Sequence, residues 1–316
     1  MMMLSSLSAH VRGFIVTFFF TASLVQTSYG QTISREELIF LTSAWTGERF
    51  ADGRPKVPDD LLERARNVRI EEAWLVLKNE GYVNQFEGEW KTLRAGKPMT
   101  GRAVTAVFMP TRPDVEKNIK DRGAKEGRLG NTNSWPIDKL VKGDVYIADG
   151  SGKIDGGTLI GDNLGNSIYA KSGNGVVFNS SARDPEGLME IQGFNAWVRD
   201  WHPSFLEQEV LMGLNVPIRM GKALVLPGDL VLARDEGVIF IPAHLAQQVV
   251  ITAEFLSLRD KFAITMLRNG TYTPGQIDSQ WTDKIKDDFI HWLDKNPGML
   301  PMKRTELDEY MKKRTW

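Results

Sequence analysis

The spacing of apolar residues predicts that helices open the chain, short strands follow, and helices close it. Residues 34–95 carry apolar positions at helical spacing, with acidic residues in a first turn after Pro58 and a stop at Gly81. Further helices are predicted near the other end of the chain, at residues 245–267, 279–293 and 305–313. The helical segments therefore flank a different kind of structure in the middle.

Short β-rich runs alternate with turns between Gly101 and Pro242. Runs of branched and aromatic residues predict strands at 102–109, 144–148, 176–178, 196–198, 216–218, 230–233 and 238–241. Short helices are predicted at 114–122, 164–172 and 185–192, and a loop at 123–139. Such short strands disfavour a regular doubly wound sheet and favour a compact mixed α/β core with two layers of short strands.

The first thirty residues differ in composition from the rest of the chain. Their only charged residue, Arg12, precedes an apolar run of thirteen residues, and small residues precede Gln31 at the positions that a signal peptidase reads. The run is short for a bilayer span. Residues 1–30 are therefore predicted to be a secretory signal peptide of a periplasmic or secreted protein, with an uncleaved N-terminal anchor as the alternative.

Composition narrows the possible chemistry. The 316 residues are 42% hydrophobic and 25% charged, as in globular proteins of one large or two modest domains. The absence of cysteine excludes disulfides, zinc–thiolate sites and cysteine nucleophiles. The formal net charge of −1 becomes −2 without Arg12. Neither value suggests a nucleic-acid partner, and no membrane partner is expected after signal cleavage.

Several common catalytic motifs are missing from the sequence. Three histidines follow the predicted signal peptide, His202, His244 and His291, and none has a second histidine four residues away, so there is no zincin motif. No Gly-x-Ser-x-Gly motif occurs. The glycine-rich stretch 150–175 is neither a P-loop nor a dinucleotide fingerprint, because Ile154 and Asp155 stand where those motifs need other residues.

Two segments remain as candidates for a site. Gly161-Asp-Asn-Leu164 precedes a predicted helix, whose free N–H groups can bind a carboxylate or phosphate; tight hairpin turns are the alternative. Arg183-Asp184 follows a predicted buried strand. Arginine can fork onto a carboxylate and aspartate can hold a hard divalent cation. The alternative is that Asp184 is an ordinary helix N-cap before Pro185.

The spacing of three acidic and basic residues resembles a family signature. Asp162 is followed by twenty residues and then by Arg183-Asp184, which resembles the Asp-x20-Arg-Asp signature of the RraA-like family. That family includes the class II 4-hydroxy-4-methyl-2-oxoglutarate / 4-carboxy-4-hydroxy-2-oxoadipate aldolases and regulators of ribonuclease activity. Supporting blocks occur in the same order as in the family: Gly101–Thr105, Gly161–Leu164, Asn215–Pro217, Pro227–Leu230 and Asp235–Val238. The resemblance covers about residues 68–270.

The resemblance implies the fold class and the assembly. The expected fold is α/β, with a swivelling β/β/α RraA-like catalytic domain at 96–270 between a helical N-terminal extension at 31–95 and a helical C-terminal extension at 271–316. The expected assembly is a homotrimer or hexamer with active sites between subunits.

The resemblance also implies the roles of individual residues. Asp184 would hold a divalent metal, usually magnesium with manganese as the alternative, partly through water. Arg183 and the backbone from Gly161 through Asp162 and Asn163 to Leu164 would bind the pyruvoyl part of the substrate. Asp162 would order a water beside it. In some members an acidic residue of a neighbouring subunit's C-terminal helix joins the catalytic set, and here that residue would be Asp260 or Glu254.

The implied activity is that of a metal-dependent lyase. It would cleave a 4-hydroxy-2-oxo acid to pyruvate by retro-aldol chemistry and could decarboxylate oxaloacetate through the same enolate. The alternatives are a non-catalytic oligomeric binding or regulatory protein, or a lyase acting on oxidised sugar acids. The export signal and the helical extensions depart from shorter cytoplasmic members. Residues 123–139 and 201–204 are expected to reshape the pocket, so the substrate is the least determined point.

Overall fold

The computed structural model describes residues 31–313, so the predicted signal peptide at 1–30 lies outside the described residues. The helices, in chain order, are α1 Arg35–Leu41, α2 Asp59–Ala65, α3 Ile70–Asn79, α4 Pro113–Lys125, α5 Asp162–Ser172, α6 Pro185–Glu190, α7 Ala246–Arg268, α8 Pro274–Ile277, α9 Asp283–Lys295 and α10 Arg304–Lys313. The strands are β1 Phe86–Glu87, β2 Lys91–Thr92, β3 Met99–Pro110, β4 Asp144–Asp149, β5 Val176–Ala182, β6 Ala196–Trp201, β7 Glu209–Leu214, β8 Ile218–Met220, β9 Ala223–Val225, β10 Leu230–Arg234 and β11 Gly237–Ile241. Short 3-10 helices lie at Thr132–Lys139, Ala243–Leu245 and Pro297–Met299.

A mixed sheet of nine strands forms the centre of the molecule. Its order is β1-β11-β10-β3-β4-β5-β6-β2, and β7 pairs with the far end of β3. Strands β3, β4, β5 and β6 are parallel to one another, whereas β10, β11 and β7 are antiparallel to their neighbours. The parallel block brings the carboxyl ends of β4 and β5 to one edge of the sheet, where ligands of α/β proteins commonly bind.

This topology corrects the prediction of a core with two layers of short strands. Residues 31–313 form one nine-stranded sheet, and the two-stranded ribbon β8–β9 packs on one of its faces as a small second layer. Strand β3 has twelve residues because β10 pairs with its first part and β7 with its last part. Those partners are more than ninety residues away in the chain, as the pairings of Ala233 with Met99 and Glu209 with Pro110 show.

Successive side chains along each strand point to opposite faces of the sheet, and each face packs against different elements. On one face Val104, Tyr146 and Phe178 pack under α5 and α6, and further along the same face β10 and β11 pack against α2, α3 and α7. On the other face Ile147 and Trp197 pack against the β8–β9 ribbon. Both faces are covered, which explains why the central strands are apolar at nearly every position rather than alternately.

The segment predicted to be helical at 34–95 contains α1, α2 and α3, but it also contains β1 and β2. These two strands pair with β11 and β6, respectively, at opposite edges of the sheet. The predicted loop at 123–139 contains the 3-10 helix Thr132–Lys139, and β7 and β9 were not predicted. Strands of two or three residues, such as β1, β2 and β9, carry too little periodicity to be recognised before their partners are known. The six-residue β7 is revealed by its antiparallel pairing with the last part of β3.

A buried charge network attaches the N-terminal segment to the sheet. Asp144, at the start of β4, is fully buried between Arg54 at 3.3 Å and Arg102 at 3.4 Å. The Phe50 ring lies against both guanidinium groups, with centroid distances of 4.6 Å to Arg54 and 5.4 Å to Arg102. Because removing one member would leave a buried charge unpaired, this network holds residues 50–59 in place.

An aromatic cluster folds the C-terminal helices back onto α7. Phe262 makes edge contacts with Trp281 and Phe289 at centroid distances of 5.4 Å, and Phe255 lies 5.2 Å from Tyr310. Within residues 31–313, none of the helices is both long enough and apolar enough to cross a bilayer.

Asp229, directly before β10, gives a prediction about the pH dependence of stability. Burial raises the pKa of its carboxyl group to about 7, although the N–H groups of Leu226 and Ala243 donate to it. The unfolded chain has a pKa near 3.9 at this residue. The group therefore favours the folded state fully below about pH 4, and this contribution is lost as the pH rises to about 7.

We expect the Asp229→Asn variant to lose less stability than the wild type between pH 5 and pH 8. The difference should be on the order of 2–3 kcal/mol, because the amide cannot ionise. Urea unfolding at both pH values measures it. Equal losses in the two proteins would contradict the raised pKa.

Candidate active site

Parallel pairing beside β5 brings the glycine turn to the Arg-Asp pair. Thr158 forms a parallel bridge with Ser181, and the Leu159 N–H donates to the Ser181 carbonyl at 3.0 Å. The Arg183 N–H then donates to the Ile160 carbonyl, also at 3.0 Å. Two segments about twenty residues apart in the chain thus run side by side and end at the same place.

Gly161 and Asp184 are in close contact at that place. A Cβ atom added at Gly161 would overlap the Asp184 Oδ2 atom and would lie 3.0 Å from Arg183 Nε. The backbone of Gly161 is extended, with φ −122° and ψ −165°, so glycine is required here by space and not by conformation. The structure therefore brings Gly161, Arg183 and Asp184 together.

Asp184 stands at the start of α6 but does not cap it. Its φ of 55° and ψ of 49° are left-handed, and its side chain makes no capping hydrogen bond. An N-cap residue is normally extended, with its side chain bonded to the first turn. Asp184 therefore occupies the N-cap position of α6, as the N-cap alternative expected, but its carboxylate does not form the capping hydrogen bond. The left-handed backbone costs on the order of 1 kcal/mol for a residue other than glycine, which is typical of functional sites.

Arg183 is fixed from two sides and free on a third. Its Nε atom lies 3.3 Å from Asp184 Oδ2, and its guanidinium carbon lies 4.3 Å from the centre of the Phe205 ring. Neither Nη atom donates a hydrogen bond to any residue between 31 and 313. The side chain is 31% exposed. The outer edge of the guanidinium, which matches a carboxylate in geometry, therefore remains available.

Asp162 opens α5 beside this pair. Its Oδ1 accepts the Asn163 N–H at 2.8 Å, and its Cβ would lie 2.8 Å from a Cβ added at Gly187 in α6. The Gly165 N–H donates to the Gly161 carbonyl at 2.9 Å, as the first bond of the helix. The amides of Asp162 and Leu164 precede that bond and have no intrahelical partner. The turn is thus a helix start rather than a hairpin, as an anion site requires.

Gly161, Asp162 and Arg183 line a cavity of about 190 Å³, whereas Asp184 is not among the lining residues and lies against Gly161 at the edge of the cavity. Its lining combines polar and apolar residues: Asn131, Asn133, Thr158, Leu159, Ile160, Gly161, Asp162, Asn163, Leu164, Arg183, Phe205 and Leu206. The volume is below that of drug-sized pockets and suits a small metabolite. Three larger cavities elsewhere in the described part of the chain contain none of Gly161, Asp162 and Arg183.

The sequence did not identify every residue of the lining. Phe205, Leu206, Asn131 and Asn133 lie in the two segments that were expected to reshape the pocket or directly beside them, but no motif marks them individually. Asn133 donates to the Leu159 carbonyl at 2.7 Å, which fixes the 3-10 helix against the glycine turn. Only long-range contacts reveal such residues.

Asp260 and Glu254 lie away from this cavity within one chain. Both are in α7, where Glu254 is buried and accepts two hydrogen bonds from Arg64, at 2.9 and 2.6 Å. Asp260 is paired with Arg69 at 3.0 Å and is largely exposed. Either residue could reach a site only in a neighbouring subunit, and this part of the prediction stays untested.

The residues present fit a magnesium-type ion with few protein ligands. No group of three acidic or histidine side chains suited to a metal occurs in the described part of the chain. Asp184 instead offers one carboxylate that is 45% exposed and free of capping bonds. Magnesium commonly binds through one or two carboxylates, with water and substrate completing its shell.

Comparison with known proteins bears on the family and on the fold. A 4-hydroxy-4-methyl-2-oxoglutarate aldolase of Thermus thermophilus is 29% identical over 139 residues, or 41% of this chain and 83% of the aldolase. Protein DlpA of Legionella pneumophila is 24% identical over 181 residues, or 57% of this chain. That alignment covers only 27% of DlpA, so this chain matches about a quarter of that protein.

A solved structure shares the fold. Streptomyces coelicolor RraAS2, described as an unusual member of the RNase ES inhibitor RraA protein family, has a TM-score of 0.56 and 26% identity. The match covers 67% of this chain and 99% of RraAS2. The resemblance and the fold class expected from the sequence are thereby confirmed. A family model described as RraA-like, Aldolase/RraA, matches residues 59–240. Because that match spans more than half of the 316 residues, the chain belongs to the RraA-like family.

Proposed function

We propose that this protein is a divalent-metal-dependent lyase that cleaves a small 4-hydroxy-2-oxo acid to pyruvate. The observation that carries the proposal is the contact of Arg183 and Asp184 with the Gly161 turn at the edge of one small cavity. The aldolase name of the Thermus relative supports the reaction class. The proposed cofactor is magnesium, with manganese as the alternative, and Asp184 would hold it.

The residues of the cavity suit each step of a retro-aldol cleavage. Arg183 would bind the carboxylate and 2-oxo group, and its charge would stabilise the enolate oxygen that develops when the C3–C4 bond breaks. A water ordered by Asp162 would accept the proton of the 4-hydroxyl group. C4 leaves as the carbonyl carbon of the second product, and return of the proton from that water to C3 of the enolate gives pyruvate. A magnesium ion bound at Asp184 would supply Lewis-acid polarisation of the 2-oxo group.

We also propose that the site is completed in a homotrimer or hexamer of the exported protein. Among the residues that the structure describes, the cavity lining of one chain contains a single carboxylate, Asp162, with Asp184 at the cavity edge. A neighbouring subunit would bring Asp260 or Glu254. Of these, Asp260 is the more accessible, because α7 buries Glu254 against Arg64.

Pyruvate release tests the proposed reaction. The purified protein would be incubated with 4-hydroxy-2-oxo acids and with oxaloacetate, and pyruvate would be followed through an NADH-dependent dehydrogenase. We expect turnover with Mg²⁺ or Mn²⁺ and none after chelation by EDTA. Absence of turnover on all these substrates, with either metal, would contradict the proposal.

A non-catalytic binding protein is the second candidate, because RraAS2 is described as belonging to a family of ribonuclease inhibitors. An inhibitor needs no metal and no free arginine edge in a cavity. The same assay separates the two candidates, since only the lyase releases pyruvate.

The Gly161→Ala variant is expected to lower kcat by about 10²-fold, because a displacement of about 1 Å at a reacting group costs about that much. The added methyl group must push the Asp184 carboxylate or Arg183 aside. Since the backbone at Gly161 is extended, the melting temperature should change little. Gly275→Ala is the control, because a Cβ there meets nothing within 4 Å. Unchanged kcat in Gly161→Ala would contradict the role of this contact.

A further inference from the structure

We propose that Thr158, Ser204 and His202 form a proton relay, in which His202 accepts a proton from the cavity through two hydroxyl groups and later returns it. His202 acts through the other two residues and does not touch the substrate. The inference rests on the proposed function and adds the base that the ordered water needs, because hydronium is too acidic to hold a proton taken from an alcohol.

The relay residues lie on both sides of the end of β5. His202 directly follows β6, and its N–H donates to the Ala182 carbonyl at 2.9 Å. Ala182 is the last residue of β5 and immediately precedes Arg183. On the other side of β5, Thr158 forms a parallel bridge with Ser181. The relay is therefore adjacent to the Arg-Asp pair of the site.

Two hydrogen-bonding steps connect the cavity to His202. Thr158 lines the cavity, although the residue is only 3% exposed. Its Oγ1 atom lies 3.1 Å from Ser204 Oγ, and Ser204 Oγ lies 3.0 Å from His202 Nδ1. A proton can pass along these contacts by shifts of the hydroxyl protons, without any movement of the backbone.

Backbone donors set the direction of the relay. The Ser204 N–H points at His202 Nδ1, at 3.3 Å. Because a backbone N–H can only donate, Nδ1 carries no proton in the neutral ring and is the accepting nitrogen. The Gly156 N–H donates to Ser204 Oγ at 2.8 Å, so the Ser204 hydroxyl proton is free to point at Nδ1. The relay is thus oriented to deliver a proton from the cavity to His202.

The charges beside His202 favour a protonated ring. Asp155 Oδ1 lies 3.7 Å from Nδ1. The Asp200 carboxylate, which is paired with Lys91, is also close enough to interact with the charge of the ring. The His202 side chain is 32% exposed, so its proton can exchange with solvent. Histidine is the side chain that ordinarily changes its charge near neutral pH, which suits a base for this reaction.

The proton balance of the cleavage is complete with this relay. The 4-hydroxyl group gives its proton to the ordered water, the water gives a proton to Thr158, and Nδ1 of His202 gains the proton that Ser204 releases. The C3–C4 bond then breaks to give the carbonyl of the second product and the enolate. The relay runs in reverse, and C3 of the enolate receives the proton to give pyruvate.

Exchange of the pyruvate methyl protons with solvent tests the relay without any cleavage step. In D₂O with Mg²⁺, the protein would remove a proton from C3 of pyruvate and return a deuteron, and NMR follows the loss of the methyl signal. We expect the wild-type rate to fall as the pH drops from about 8 to about 5, because a protonated Nδ1 cannot accept. Asp155→Asn should move this fall to lower pH by on the order of 0.3 unit at low ionic strength, since the imidazolium loses an exposed neighbouring charge.

Substitutions at His202 separate proton transfer from support of the loop. His202→Asn keeps an acceptor for the Ser204 N–H but cannot take a proton, so exchange should fall about 10²-fold and lose its pH dependence. Ser204→Ala interrupts the relay and should lower the rate similarly. His202→Ala leaves space for free imidazole, which should restore exchange there and not in His202→Asn. His291→Asn is the control, because His291 is exposed on α9 and does not line the cavity.

Exchange and cleavage can fail independently of each other. The relay is overturned if His202→Asn and Ser204→Ala exchange pyruvate protons as the wild type does, and the proposed function then survives if these variants cleave 4-hydroxy-2-oxo acids. Wild-type exchange that requires His202, without cleavage of any oxo acid, would keep the relay and overturn the proposed function. Absence of both exchange and cleavage overturns both proposals. Should thermal unfolding show that the His202 variants do not fold, an unchanged pH profile in Asp155→Asn overturns the relay by itself.

Discussion

Replacing Arg183 by lysine is expected to lower kcat by about 10²-fold, and replacing it by alanine by about 10³-fold, as removal of one preorganised donor typically does. Lysine keeps the positive charge but cannot present two parallel N–H groups or stack flat on Phe205. The melting temperature should change little, since Arg183 is partly exposed and lies at the end of a strand. Steady-state kinetics with Mg²⁺ and thermal unfolding measure the two effects.

The chain offers a matched control for Arg183. Arg199 also precedes an aspartate and also stacks on an aromatic ring, at 3.8 Å from the Trp90 centre. It pairs with Glu87 at 2.7 Å and donates to the Gly88 carbonyl, so it joins β6 to the segment between β1 and β2. Arg199→Lys should therefore lower the melting temperature and leave kcat within about 2-fold. A lower melting temperature with unchanged kcat in Arg183→Lys, together with a lower kcat in Arg199→Lys, would contradict the assignment of Arg183 to the site.

Replacing Asp184 by glycine is expected to abolish metal-dependent turnover, with a loss of at least about 10³-fold, and yet to keep or raise stability. Glycine adopts the left-handed backbone of residue 184 without cost, and no capping hydrogen bond is lost. Asp184→Asn tolerates the same backbone and also lacks the negative charge. A residue whose backbone is strained, and whose side chain is dispensable for folding but required for turnover, has a functional role.

The effect of Mg²⁺ on thermal unfolding tests metal binding at Asp184 independently of any activity assay. A ligand that binds only the folded state raises the melting temperature as its concentration rises. We expect this rise for the wild type and for Asp200→Asn, and no rise for Asp184→Asn or Asp184→Gly. Asp200 is a suitable control because Lys91 and the Trp201 N–H already engage its carboxylate. A normal Mg²⁺ response in the Asp184 variants would place the metal elsewhere.

The sequence by itself determined the longer helices and the central strands. The long helix predicted at 245–267 is α7 at Ala246–Arg268, and α3 ends at Asn79, two residues before the helical stop predicted at Gly81. The Arg183-Asp184 pair was also apparent, because it follows an apolar run that becomes β5. These features depend on periodicity, capping and turn residues within a few positions, which are local properties of the chain.

Only the tertiary structure decided the rest. Strands β1 and β2 exist because β11 and β6 provide hydrogen-bond partners more than a hundred residues away. The left-handed backbone of Asp184, the ring of Phe205 on Arg183, and the pairing of Glu254 with Arg64 likewise depend on distant residues. Such contacts form when the whole chain packs, and no short window of sequence records them.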